Sequence, residues 1–162
     1  MNVQELLAEV VTAPVVKRAI TNHKTLNEAY DYGSAFSRGM RIDLNGLIIL
    51  LISGTASIDE AGRTVHVGDF RAQLQRTYEN ITKLLAAEGA TWHDIVRTTC
   101  YLRDIERDYP AFNEERTAFF KLQGLDPLPA STGIQAILCR PDLLIEIEAI
   151  AMFRREATSD IG

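Results

Sequence analysis

Hydrophobic residues recur at two different periods along this chain, and each period predicts one kind of element. Spacings of three and four residues, typical of amphipathic helices, occur over residues 3–11, 70–88 and 109–122. Asp69 precedes the second of these segments and Asp108 the third, and an aspartate in that position caps the first turn of a helix. The sequence therefore predicts a short N-terminal helix and two longer helices in the body of the chain.

The remaining apolar segments have the composition and spacing of β-strands. Asn45-Gly46 separates the first two strands and is a strong signal for a type I′ hairpin turn, in which both residues take positive φ. Ser53-Gly54 interrupts the second strand, which is consistent with a bulge. The predicted strands cover residues 36–42, 47–58, 95–102, 131–138 and 143–151.

The last predicted strand carries two carboxylates on one face. Side chains alternate across a strand, so Ile145 and Ile147 belong to an apolar face, while Glu146 and Glu148 share the other face. Two strand rises separate the two acids by about 7 Å. Carboxylates are rarely buried without a partner or a function. The acidic face of this strand is therefore a candidate site.

The order of the elements predicts an α+β fold, with a mixed β-sheet and two helices packed on one face. Two helices cannot cover both faces of such a sheet, so we expect the other face to meet a partner subunit. Residues 1–34 are interpreted as an N-terminal extension outside the main fold. The domain itself is expected to cover residues 35–155, with a C-terminal tail at 156–162.

Composition excludes several classes of function. The 162 residues suffice for one domain, and the net charge of −5, without a basic stripe, disfavours nucleic acid as a partner. Glu5 interrupts the segment where a signal peptide needs apolar residues, and no segment reaches the length of a membrane span. No histidine lies near a second ligand at metal spacing. We expect a cytoplasmic protein without a bound metal or a membrane partner.

Several short motifs follow one another in order between about residues 36 and 154. The segments are Ile52-Ser53-Gly54, Asp94 to Thr99, Phe112-Asn113-Glu114, Pro129-Ala130-Ser131-Thr132 and Ile145 to Ala151. Together they resemble the Rid (YjgF-type) family, also called endoribonuclease L-PSP. The resemblance implies a chorismate-mutase-like fold, a homotrimeric barrel, and small-molecule ligands bound in three clefts between subunits.

The same resemblance implies a reaction. Members of the family with a defined activity hydrolyse reactive enamines or imines, such as 2-aminoacrylate, to a keto acid and ammonia, and this chemistry needs no cofactor. The glutamate that orients or activates water matches Glu148, which becomes the candidate catalytic residue, whereas Glu146 is interpreted as structural. The residues that contact or wall the ligand match Ser53, Gly54 and Phe36, and Asn113 lies within a matching motif.

One position departs from the family pattern. Family members carry an arginine directly after Pro-Ala, and this arginine grips the substrate carboxylate, whereas this chain has Ser131. A neutral hydroxyl cannot replace a bidentate guanidinium. The hypothesis is then that the carboxylate anchor has moved to Arg38, which shares a strand face with Phe36, or to another position.

A second, looser resemblance supports that choice and opens alternatives. Residues 36–39, 53–58 and 131–134, which include Gly133, resemble the Rid-like part of chorismatases. Three functions stay open at this point: an enamine or imine hydrolase, a non-catalytic trimer that binds a small carboxylate, and a chorismatase-like hydrolase acting on an enol-ether carboxylate. The candidate binding residues are Phe36, Arg38, Ser53, Gly54, Asn113, Ser131 and Gly133.

Overall fold

The computed structural model describes residues 2–12, 14–21, 26 and 33–155. Within those residues the chain forms three α-helices and six strands, together with a 3-10 turn at Trp92–Asp94. The tail predicted at 156–162 lies outside the described residues. In chain order the elements are α1 (Val3–Thr12), β1 (Val16–Ala19), β2 (Gly39–Leu44), β3 (Leu47–Ala56), α2 (Phe70–Ala86), β4 (Ile95–Leu102), α3 (Ile105–Leu122), β5 (Ala130–Gln135) and β6 (Ile145–Arg154).

All six strands form one mixed sheet in the order β1-β2-β3-β6-β4-β5. Neighbouring strands run antiparallel except β4 and β5, which are parallel. The predicted hairpin joins β2 to β3, and Asn45 and Gly46 take φ angles of 52° and 84°. A type I′ turn needs positive φ at both positions, so the structure confirms this prediction.

The alternation in β6 determines which face of the sheet is buried. Ile145, Ile147 and Ala149 lie under α2 and α3 with at most 3% of their surface exposed. Burying an isoleucine side chain contributes about 1.5–3 kcal/mol, and these residues therefore anchor the helices to the sheet. The opposite face keeps large apolar side chains accessible, among them Leu51 at 41% and Met152 at 42%. The prediction of two helices on one face is confirmed.

The N-terminal segment is partly integrated into the sheet. β1 pairs antiparallel with β2, and Ile20, directly after β1, is completely buried. The expectation that residues 1–34 lie outside the main fold therefore does not hold for residues 16–20. The β1 side chains are largely exposed because this is an edge strand, so the segment lacks the apolar pattern that would have predicted it.

The third helix begins earlier than its sequence suggests. The N-cap is Asp104, whose side chain accepts a hydrogen bond of 3.0 Å from the Arg107 backbone N–H. Asp108, the predicted cap, instead lies inside the helix, where it is buried and paired with Arg107. Ile105 packs against the core, and this apolar contact favours the earlier start. Strand β5 also ends at Gln135, three residues before the predicted end.

Candidate functional site

A pocket of about 440 Å³ opens beside the end of β3, where the strand is interrupted by a bulge. Its walls come from the segment before β2, from β3, from the turn before β6 and from β6 itself. The lining includes four predicted residues, and it also includes Glu146 and Arg140. The predicted members are Phe36, Arg38, Ser53 and Gly54, and they lie in one lining with Arg140 and Glu146.

The bulge at Ser53-Gly54 shapes the floor of this pocket. The pairing between β3 and β6 shifts between Ile52 and Thr55. Ser53 fixes the bulge to the segment before β2: its hydroxyl donates a 2.7 Å hydrogen bond to the Ser37 carbonyl, and its N–H donates to the Arg38 carbonyl at 3.1 Å. The predicted interruption of the strand is thus confirmed.

Gly54 makes room for a carboxylate. A β-carbon at this position would overlap with Oε1 of Glu146. The φ angle of Gly54 is not in the left-handed region, so the glycine is needed for space and not for its backbone conformation. The absence of a side chain at Gly54 therefore allows the Glu146 carboxylate to lie against the bulge.

Glu146 is the titratable group most affected by this environment. Burial of the carboxylate in the pocket raises the pKa of Glu146, and the negative charge of Glu148 raises it further. A carboxyl group with a raised pKa exchanges protons closer to neutral pH, which general acid–base catalysis requires. Glu146 can therefore take up and return a proton in this pocket.

Glu148, the catalytic candidate from the sequence, lies beside the pocket. Its side chain is exposed, and Oε1 accepts a 2.9 Å hydrogen bond from the Tyr101 hydroxyl. That hydrogen bond to the carboxylate raises the pKa of Tyr101. Glu148 lines two smaller clefts, one of which, about 330 Å³ in volume, it shares with Phe36 and Ser53. No motif in the sequence marks Tyr101 as a site residue, although the pairing of β4 with β6 places it on the same sheet face as both glutamates.

Two arginines contribute positive charge to the lining of the pocket. Arg38 is buried, and its guanidinium carbon lies 5.4 Å from the centroid of the Phe36 ring. Arg140 lies in the turn before β6 and donates a 2.7 Å hydrogen bond to the Gly62 carbonyl. Two guanidinium groups in the lining of one pocket suit a small anionic ligand. Arg140 was not predicted, because a turn residue shows no periodicity that marks it as part of a site.

The other predicted residues lie on the opposite side of the sheet. Ser131 pairs in register with Thr98 under α3, and the Thr98 hydroxyl donates to Ser131 Oγ at 3.2 Å. Gly133 is two residues further along β5 and faces Tyr109 of α3. Asn113 is exposed on α3. Within one protomer the structure does not bring these three residues into the pocket of Glu146.

Two further properties concern only the described part of the chain. It contains no group of three or more histidine, cysteine, aspartate or glutamate side chains that could hold a metal ion. Its helices are all too short or too polar to span a bilayer.

Comparison with known proteins gives a consistent result. A family model described as endoribonuclease L-PSP matches residues 26–153. The 3-aminoacrylate deaminase RutC of Acinetobacter baylyi is 36% identical over 103 residues, which are 64% of this chain and 78% of that protein. A RutC family protein of Haemophilus influenzae is 33% identical over 111 residues, covering 68% of this chain and 82% of that protein. Among solved structures, the YjgF gene product of E. coli has a TM-score of 0.69 at 27% identity, covering 85% of this chain and 99% of that one.

Proposed function

The chain belongs to the endoribonuclease L-PSP family, also called the Rid or YjgF family, and from that membership we propose that it hydrolyses an enamine or imine of a small carboxylic acid. The products are a keto acid and ammonia. The similarity to a protein named 3-aminoacrylate deaminase supports this class of reaction. The observation that carries the proposal is the carboxyl group of Glu146, which has a raised pKa and lies in a pocket with two arginines.

The reaction needs one group that moves protons. In the proposed sequence, a proton from solvent adds to the enamine carbon and gives the iminium ion, and water then adds to the C=N carbon while Glu146 accepts a proton from that water. The resulting carbinolamine takes up a proton on nitrogen, the C–N bond breaks, and ammonia leaves as the carbonyl forms. Arg38 and Arg140 would hold the substrate carboxylate, and Ser53 and Gly54 would position the reacting carbon.

The choice between the two glutamates is part of the proposal. The sequence prediction of Glu148 stays open, because Glu148 lines a neighbouring cleft with Phe36 and Ser53. Two features favour Glu146: it lies in the larger pocket with the arginines, and burial raises its pKa. Glu148, which accepts a hydrogen bond from Tyr101, would then act on Glu146 through its negative charge.

We also propose that the active assembly is a homotrimer. Both the open face of the sheet and the edge strand β5 expose apolar side chains, among them Leu51, Met152 and Ile134. Such surfaces favour association. In a trimer, Ser131, Gly133 and Asn113 of one protomer could contribute to the pocket of another. Sedimentation velocity should give the mass of three chains, and a monomer would contradict this part of the proposal.

The test of the proposed function uses the purified full chain and an imine produced in situ by an amino-acid oxidase. The wild type should release ammonia from the imine faster than the uncatalysed rate, Glu146→Gln should not, and Arg63→Gln should match the wild type. Arg63 is a suitable control because it forms an exposed ion pair with Asp59 in a turn. Release at the uncatalysed rate by the wild type would contradict the proposal. It would favour the non-catalytic binding protein, the alternative that Ser131 suggests.

A further inference from the structure

Arg140 belongs to a turn that is fixed from two other elements. Gln73, a completely buried residue of α2, donates a 2.9 Å hydrogen bond to the Asp142 carbonyl and accepts one of 2.8 Å from the Leu144 N–H. Arg103, directly after β4, donates to the Arg140 carbonyl. Buried polar groups whose hydrogen bonds are satisfied in this way make a segment rigid. The turn therefore presents Arg140 to the pocket from a rigid support.

The Arg140 side chain lies at the end of the pocket beyond β3. Its Nη1 donates hydrogen bonds to the Gly62 carbonyl at 2.7 Å and to the Thr64 hydroxyl at 3.4 Å. Thr64 forms a β-bridge with Ile58, which follows the last residue of β3 by two positions, and its hydroxyl donates to the Asp142 carboxylate at 3.0 Å. These contacts fix the guanidinium near Ile58, which also lines the pocket.

Arg38 lines the same pocket from the opposite end. Its carbonyl accepts a 3.1 Å hydrogen bond from the Ser53 N–H, so the segment before β2 is joined to β3 at the bulge. The Glu146 carboxylate lies against Gly54, the next residue of β3. Followed along β3, the pocket is therefore lined by Arg38, then by Glu146 and then by Arg140. The carboxyl group thus lies between the two arginines.

The charges of the lining suit a ligand with an anionic group at each end. Among the described residues that line the pocket, Arg38 and Arg140 are the two cationic ones and Glu146 is the one carboxylic acid. Burial raises the pKa of Glu146, so its negative charge compensates the arginines over a narrower pH range than an ordinary carboxylate would. A guanidinium fork binds one carboxylate in a bidentate manner, and two separated arginines therefore match a ligand with two carboxylates.

We propose that Arg140 is a specificity-determining residue that binds a second carboxylate, and that the substrate is the imine of a dicarboxylic amino acid such as aspartate or glutamate. Arg38 holds the carboxylate attached to the C=N carbon, Glu146 faces that carbon, and Arg140 holds the carboxylate at the far end of the substrate. The hydrolysis itself is unchanged: water adds to the C=N carbon and ammonia leaves, so the product is a dicarboxylic keto acid. This inference rests on the proposed function and specifies its substrate class.

The first test measures binding without any reaction. Isothermal titration calorimetry of the purified full chain, at constant ionic strength, compares glutarate with valerate, which has the same number of carbons and one carboxylate. Glutarate should bind at least about tenfold more tightly, because it forms a second charge-assisted pair. Arg140→Gln should reduce this preference about tenfold or more, and Arg140→Lys, which keeps the charge but not the fork, should reduce it less.

Arg71→Gln is the control for net charge, because Arg71 pairs with Glu114 and Glu115 on the surface formed by α2 and α3. This variant should keep the wild-type preference for glutarate. The proposal is overturned if neither acid binds saturably or if valerate binds as tightly as glutarate. It is also overturned if Arg140→Gln weakens both acids by the same factor, since both arginines would then hold one carboxylate.

The second test separates this inference from the proposed hydrolysis. Amino-acid oxidases produce the imines of glutamate and of norvaline, which have equal chain length, and ammonia release is followed for each. In the wild type kcat/KM should be at least about tenfold higher for the imine of glutamate, and Arg140→Gln should lose most of that ratio. Equal kcat/KM values for the two imines would overturn the inference while the proposed hydrolysis stands. Release at the uncatalysed rate from both imines, with the preference for glutarate present in calorimetry, would contradict the hydrolysis and support Arg140 as the group that binds a second carboxylate.

Discussion

The carboxylate of Glu146 occupies the space that a side chain at Gly54 would fill. Gly54 belongs to the bulge in β3, and Glu146 lies on the neighbouring strand β6. The bulge therefore leaves the space in which the Glu146 carboxylate lies. Glu148, two residues further along β6, remains exposed. The two glutamates therefore have different environments although they occupy the same strand face.

Substituting Gly54→Ala should lower activity with little effect on stability. The new methyl group would displace the Glu146 carboxylate, which is the flexible end of its side chain, and no backbone strain is introduced. We expect kcat/KM for imine hydrolysis to fall at least about tenfold, and the free energy of unfolding to change by less than about 1 kcal/mol. Steady-state kinetics and urea unfolding measure the two effects.

Gly133→Ala is the matched control for stability. Gly133 also lies in a strand, and its nearest neighbour would be a Tyr109 ring carbon at 3.8 Å, an ordinary contact distance. Both alanine variants should therefore unfold near the wild-type urea concentration. If Gly54→Ala kept full activity, the Glu146 carboxylate would not need its observed position.

Removing the charge of Glu148 should shift the pH dependence of the reaction. Burial and the negative charge of Glu148 both raise the pKa of Glu146, in that order of size. In Glu148→Gln only the effect of burial remains, so the pKa of Glu146 falls. Because Glu146 must be ionised to accept a proton, the acidic limb of kcat/KM should move to lower pH. An acidic limb that stays in place or moves to higher pH would contradict the role of Glu146.

Glu146→Gln should stabilise the fold in a pH-dependent manner. A carboxyl group whose pKa is raised on folding contributes stability below its unfolded pKa and loses that contribution as the pH rises through the folded value. Glutamine has no ionised form, so the variant avoids the cost of burying a charged carboxylate at neutral pH. The melting temperature of the variant should equal that of the wild type near pH 4 and exceed it by about 2 °C at neutral pH. Calorimetry at both pH values checks this, and a gain that is largest at low pH would be inconsistent with a raised pKa.

The sequence predicts most of the sheet and helices because their hydrophobic periods are strong and local. β1 was missed since an edge strand needs no apolar face, and the start of α3 was misplaced because Asp104 and Asp108 both suit an N-cap. The difference between Glu146 and Glu148 was beyond local pattern altogether. It depends on how β3 and β6 pair across the bulge, which places the Glu146 carboxylate in the space beside Gly54.

The sequence indicates some of the site residues, whereas others are brought to the site only by the folded structure. The Rid resemblance points to Phe36, Ser53 and Gly54, the looser chorismatase resemblance adds Arg38, and the structure brings all four together in one pocket. Arg140 is the second arginine in the lining of this pocket, and it comes from a turn whose conformation no hydrophobic period predicts. Arg116 reaches Ser131 from a separate element, a contact that depends on how α3 lies against β5.

Arg38→Gln should weaken substrate binding more than it slows the chemical step. Arg38 is buried in the lining of the pocket with its guanidinium over the Phe36 ring, and in the proposed reaction it would hold the carboxylate of the substrate. We expect KM to rise about tenfold or more with a smaller change in kcat. Arg63→Gln is the control for net charge. An unchanged KM in Arg38→Gln would exclude Arg38 as the anchor.

Glu88 should contribute more to stability than either arginine that it pairs with. Its side chain is 2% exposed, follows α2, and accepts hydrogen bonds from Arg18 of β1 at 2.7 Å and from Arg41 of β2 at 3.0 Å. Glu88→Ala removes the carboxylate that pairs with the largely buried Arg41 and should cost about 3 kcal/mol. Arg18→Ala removes a side chain that is 55% exposed and should cost less than about 1 kcal/mol. Urea unfolding of both variants measures the difference, and equal losses would mean that Glu88 stabilises the fold only through β1.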